Sequence, residues 1–156
     1  MVDDETAPEG EAPETPAPPL RYVESSALLA AFLEGDRRAR REIRAPGRRI
    51  TSALTLSEAH RAVLRARVTG RIDADAQRKA VRGLGTFARR CETMAVSQEV
   101  LARAGRPFPV EPIRTLDAIH LASVEALGEP PHLVTVVTRD SRVAENAFAM
   151  GYSVKP

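Results

Sequence analysis

Short β-branched runs alternate with helical stretches from Leu20 to the C-terminus, and that alternation admits few folds. The strongest strand signal is His132-Leu133-Val134-Thr135-Val136-Val137-Thr138. Weaker strand signals lie at Leu20 to Val23, Ile50 to Ala53, Thr93 to Val96 and Tyr152 to Val154. The spacing predicts helices over Ala27 to Leu33, Asp36 to Arg44, Ser57 to Val68, Asp73 to Arg90, Ser97 to Ala104, Thr115 to Leu127 and Asp140 to Met150. Ser25 or Ser26 is the expected cap of the first helix. The 115–127 stretch reads as amphipathic, with Leu116, Ile119, Ala122, Val124 and Leu127 on its apolar side. Strands separated by helices cannot close as hairpins. The expected fold is therefore α/β, a three-layer sandwich with a central, mainly parallel β-sheet flanked by helices. No internal repeat is visible.

At 156 residues the chain supports one domain and one core. Aromatic residues are 4% with no Trp, so the core is expected to be aliphatic, and a strong aromatic platform for stacking single-stranded bases is not expected. The single Cys, Cys91, rules out an intrachain disulfide and a Cys-based zinc site; it reads as a small hydrophobe within a helix. The N-terminus lacks the apolar stretch of a signal peptide, and no apolar run approaches the ~20 residues of a membrane span. A cytoplasmic location is expected.

Charge divides the chain. Residues 1–19 hold six acids (Asp3, Asp4, Glu5, Glu9, Glu11, Glu14), no base and five of the twelve prolines. They are expected to form a disordered acidic tail ahead of a domain over residues 20–156. The domain carries 23 bases against 15 acids, and 21 of those bases are Arg. Guanidinium groups suit phosphate-bearing partners, although a GC-rich genome yields the same Arg count without one. The basic stretch Arg37 to Arg49 reads equally as an RNA contact, a solvated face or a protein interface.

Four acids fall where a parallel sheet places its ligands, at the carboxyl ends of strands and at nearby helix starts. Glu24 follows the first strand and Asp140 the strongest one; Glu58 and Asp117 lie in expected first turns of helices. Each alone reads as an acid favouring a helix N-terminus. Together, four carboxylates near a core would repel one another and lose hydration unless a hard divalent cation joined them.

The residues around these acids resemble the motifs of the PIN-domain family, specifically the VapC toxins. Tyr22-Val23-Glu24-Ser25-Ser26-Ala27-Leu28-Leu29 is similar to the family's opening strand and loop. Ser52 to Ala62 is similar to the segment bearing its acidic Glu. Arg114-Thr115-Leu116-Asp117-Ala118-Ile119-His120-Leu121-Ala122 and Val136 to Ala147 are similar to its third and fourth acidic motifs. The resemblance implies a PIN-like fold and an endoribonuclease dependent on Mg²⁺ or Mn²⁺, acting as the toxin of a toxin–antitoxin pair. It implies a structured RNA substrate, a homodimer and a cognate antitoxin. Carried over, Glu24, Glu58, Asp117 and Asp140 become the catalytic metal ligands, with Ser26 supporting them by hydrogen bonding. His120 reads as structural. One departure stands out: the family's first acid is Asp, and here it is Glu24. That change leaves an alternative, a catalytically weak or inactive PIN-like module that binds RNA or protein.

Two patterns are set aside. Gly83-Leu84-Gly85-Thr86-Phe87-Ala88 matches a dinucleotide fingerprint but lies within an expected helix with no strand before it. Ser26, Asp117 and His120 form no hydrolytic triad, because no strained nucleophile turn surrounds Ser26.

Overall fold

The computed structural model describes residues 18–155. The expected acidic tail lies outside the described residues, apart from Pro18 and Pro19. Five strands form one sheet: β1 (Leu20–Val23), β2 (Arg48–Ser52), β3 (Glu92–Met94), β4 (Val134–Val137) and β5 (Ser153–Lys155). Their order is β3-β2-β1-β4-β5, and every neighbouring pair is parallel. The helices are α1 (Ser25–Phe32), α2 (Arg37–Arg44), α3 (Ala53–Val68), α4 (Ala74–Ala88), α5 (Gln98–Ala104), α6 (Thr115–Glu125) and α7 (Ser141–Ala149).

Side chains alternate across the two faces of the sheet, and this sorts the core into two layers. Leu20 and Tyr22 of β1, with Val134 and Val136 of β4, pack with Val100, Leu121, Ala122, Val124, Val143 and Ala147 from α5, α6 and α7. Val23 and Val137 point the other way, onto Leu28, Ala31, Ile43, Val63 and Leu84 from α1 to α4. Both layers are mainly aliphatic. No described helix is long and apolar enough to cross a membrane.

Several boundaries differ from those expected, each for a local reason. The Ser52 side chain accepts from Thr55 N at 3.2 Å, which starts α3 at Ala53 and moves Glu58 from the first turn to the second. The 115–127 stretch is not amphipathic in its packing. Ala118 to Val124 are all buried, because α6 lies between α5, α7 and the sheet, whereas Leu116 is 46% exposed. His132 and Leu133 form a 3₁₀ turn, so β4 begins at Val134. Cys91 lies in the bend between α4 and β3 instead of within a helix; burial pushes its thiol up to about 12, in keeping with an inert thiol.

The start of the domain is tied down at Pro19, whose carbonyl accepts from Arg48 N at 3.0 Å. Gly47 makes this possible. Its φ is +126°, and a Cβ there would sit 2.2 Å from the Pro19 carbonyl oxygen. Gly47→Ala is expected to destabilise the protein by about 1–3 kcal/mol, from a backbone clash combined with a disfavoured φ. Thermal unfolding checks this, and an unchanged midpoint would show that the Pro19–Arg48 junction contributes nothing.

Candidate active site

The carboxyl ends of β1 and β4 lie side by side, with Val23 opposite Val137. Glu24 N donates to the Val137 carbonyl at 3.0 Å, which carries the pairing one residue beyond the strand. Glu24 is only 4% exposed, yet its carboxylate is well supplied with donors. Oε2 accepts from Ser26 N at 3.0 Å, from the Thr138 hydroxyl at 2.9 Å and from the Ser26 hydroxyl; Oε1 accepts from Ser25. The capping therefore runs opposite to expectation: Glu24 caps α1, and Ser25 and Ser26 donate to it. Ser26 Oγ in turn accepts from Arg139 N at 2.7 Å, so one hydroxyl ties the β1 and β4 exits together.

Asp140 stands across this junction. Its Oδ1 accepts from Arg142 N at 2.9 Å and Val143 N at 3.2 Å, which makes it the N-cap of α7.

Glu58 of α3 and His120 of α6 come from opposite helical layers and meet over the same edge. Nε2 of His120 lies 2.6 Å from Glu58 Oε2 and 3.6 Å from Glu24 Oε1. Nδ1 lies 3.0 Å from the Tyr22 hydroxyl. Two carboxylates face Nε2, so the network assigns the proton there, with Nδ1 accepting from Tyr22. Tyr22 is fully buried, and burial raises its phenol well above the usual range, so it remains a donor. The identity of Tyr22 is thus linked to the orientation of Glu58 through one imidazole.

Asp117 lies one turn before His120 on α6, half-buried. Its Oδ2 is buried and has no hydrogen-bond partner among the described residues. Burial, followed by the charges of Asp140 and Glu24, holds its carboxyl above the usual range; Arg114 and His120 offset this in part. Its field is therefore shared with the two acids at the strand ends.

Donor atoms of Glu24, Glu58 and His120 lie within 4.8 Å of one another; with Nε2–H given to Glu58, His120 orients that carboxylate and leaves the oxygens for an ion. Asp117 and Asp140 are outside that three-donor cluster; the Asp117 carboxyl feels the charges of Asp140 and Glu24. An orphaned Asp117 oxygen together with the Glu24 and Glu58 carboxylates is a hard-oxygen set that fits a divalent cation such as Mg²⁺ or Mn²⁺. Sequence reasoning left His120 out of the set. The signal was present: an i, i+3 spacing places it near Asp117, and Tyr22 shares a strand face with Glu24.

The PIN domain family model matches residues 21–149, and the chain belongs to that family, as its parallel sheet with carboxylates at one edge leads one to expect. Ribonuclease VapC46 of Mycobacterium tuberculosis (strain ATCC 25618 / H37Rv) is 36% identical over 135 residues, covering 85% of this chain and 94% of the relative, which puts the chain in the VapC branch. Two solved structures share the fold. The Mycobacterium tuberculosis VapC20 toxin, described as sarcin–ricin loop cleaving, superposes with a TM-score of 0.62 at 19% identity, covering 87% of this chain and 99% of that one. VapBC2 from Rickettsia felis, bound to a DNA fragment from its promoter, gives 0.60 at 11% identity, with 87% and 97% covered.

Proposed function

We propose that the protein is a Mg²⁺- or Mn²⁺-dependent endoribonuclease, the toxin of a toxin–antitoxin pair, acting on cytoplasmic RNA as a homodimer restrained by a cognate antitoxin. The observation that carries this reading is the buried Asp117 oxygen, without a hydrogen-bond partner among the described residues, in a site that also holds the Glu24 and Glu58 carboxylates. Glu24, Glu58 and Asp117 would hold the ion, with Asp140 adding charge at its margin. A bound cation supplies an activated water and stabilises charge on the phosphate. The chain's own residues set the stage: Ser26 and Thr138 fix the Glu24 carboxylate, and His120 fixes Glu58. The reading of the relatives as ribonuclease and toxin agrees with this arrangement.

The alternative, a non-catalytic binding module, draws on Glu24. Its carboxylate already accepts from Ser25, Ser26 and Thr138, and so has less need of an ion than Asp117 has.

Purified protein incubated with total RNA is expected to cut it in Mg²⁺ or Mn²⁺ and to stop in EDTA. Mn²⁺ at about 100 times its Kd is expected to stabilise the fold by about 2.7 kcal/mol, read as a rise in unfolding midpoint. Absence of both cleavage and Mn²⁺ stabilisation would favour the binding module. Size-exclusion chromatography checks the dimer, with twice the 16.9 kDa chain mass expected.

A further inference from the structure

A second polar surface lies at the other end of the sheet and takes no part in the carboxylate site. It is a groove of about 650 Å³ between α1, α2 and α4, with Phe32 and Phe87 among its apolar lining. Its polar lining is almost wholly cationic: Arg40, Arg44, Arg49, Arg82 and Arg90. None of these five forms an ion pair among the described residues. The Nε of Arg49 is buried there without a hydrogen-bond partner among the described residues. Five guanidinium groups gathered without a counter-charge repel one another and call for an anionic occupant.

The groove opens at the amino-terminal edge of the sheet. Arg49 sits at the start of β2, paired in register with Arg21, and Arg90 lies just ahead of β3. The carboxylates lie at the opposite, carboxyl-terminal edge, so the groove is not an extension of the cleft that would take a scissile phosphate.

The chain enters the domain at this same edge. Pro19 is hydrogen-bonded to Arg48 and closely packed on Gly47. Gly47, Arg48, Arg49, Arg89 and Arg90 line a smaller depression that shares Arg49 and Arg90 with the groove. Arg48 is matched by Glu92, but the shared arginines have no ion pair among the described residues. Residues 1–17, which precede this point, carry six acids and no base. At about 3.1–3.6 Å per residue they reach roughly 50–60 Å, enough to follow the depression into the groove.

We infer that the arginine groove is the docking surface for the chain's own acidic segment 1–17, engaged in cis. Its six acids match in charge the arginines that line the groove, Arg44, Arg49, Arg82 and Arg90 among them. The segment then competes with RNA and other polyanions for this basic surface, leaving the carboxylate edge open. This inference does not depend on the chain being a nuclease.

The test uses the full chain carrying Gly10→Cys with a nitroxide label, in a Cys91→Ser background because Cys91 lines the depression. Amide NMR signals of Arg44, Gly83, Thr86 and Arg90 are expected to be broadened selectively at low salt and to recover at high salt. The broadening is expected to vanish when all six tail acids are changed to Asn or Gln, and again in Arg44→Glu/Arg82→Glu/Arg90→Glu if its amide spectrum stays that of a folded domain. Mixing spin-labelled, isotope-unenriched chain with unlabelled, isotope-enriched chain separates cis from trans. Broadening confined to the labelled molecule supports the inference. Broadening transferred between chains, spread evenly over the domain, or unaffected by neutralising the six acids overturns it and leaves the groove to a partner in trans.

Discussion

Asp117→Asn is expected to slow RNA cleavage severely while making the EDTA-treated protein more stable. The two effects have one source. Asp117 carries a buried oxygen that nothing among the described residues satisfies, in a field already negative from Asp140 and Glu24. Without a cation this arrangement costs stability, and with one it becomes binding energy. Asparagine keeps the shape and removes the charge. The loss in rate is expected to be on the order of 10²–10³-fold, the size seen when one electrostatic stabiliser of a transition state is removed. The gain in folding free energy is expected to be ~1 kcal/mol, a few degrees in unfolding midpoint.

The gain should depend on pH in a defined direction. The folded carboxyl holds its proton more tightly than the unfolded one, so its stabilising contribution is present at acidic pH and is lost as pH rises through its raised pKa. Asp117→Asn should therefore gain most over wild type near neutrality. The advantage should disappear on acidification into the range where Asp117 is protonated. Thermal unfolding in EDTA across pH, beside cleavage in Mn²⁺, measures both arms. A variant that cleaves normally would remove Asp117 from the site; one that cleaves poorly and is less stable would make Asp117 structural.

The layering of this domain could be read from the chain because it rests on local patterns. The β-branched run of β4 and the period of the helices define strands that must run parallel. What escaped was governed by single hydrogen bonds. The Ser52 cap moved the start of α3, and the Glu24 side chain, long enough to fold back on its own helix, took the capping role expected of Ser25 or Ser26. The four acids were visible as residues at strand ends and near helix starts. Their relation was not visible, because Glu24 and Glu58 meet through a histidine 62 positions away from Glu58 in the chain. A buried His on an apolar helix resembles ordinary core until its two neighbours are known.

That histidine yields the other large effect. His120→Ala is expected to destabilise the fold by about 2–4 kcal/mol, because it opens a cavity in a site only 1% exposed and deprives two groups of a partner at once. Glu58 loses the donor at 2.6 Å, and the Tyr22 hydroxyl loses the acceptor at 3.0 Å. Hydroxyls of Ser52, Thr55 and Ser123 lie near the Tyr22 phenol, so part of its loss is recovered. Glu58 has no such reserve among the hydrogen bonds of the described residues, and its carboxylate is freed to rotate away from Glu24. Mn²⁺ affinity is therefore expected to fall about 10–100-fold, the usual cost of removing a group that orients a metal ligand. Tyr22→Phe separates orientation from cavity formation. It keeps the ring and removes only the donor that fixes the imidazole tautomer, so its stability loss should be nearer 1 kcal/mol. Mn²⁺ affinity should still drop in that variant, because an imidazole free to exchange tautomers no longer presents Nε2–H to Glu58 at all times. If both variants lose stability while Mn²⁺ affinity, measured by calorimetry at a temperature where each is folded, stays at the wild-type value, His120 fills the core and does not position Glu58.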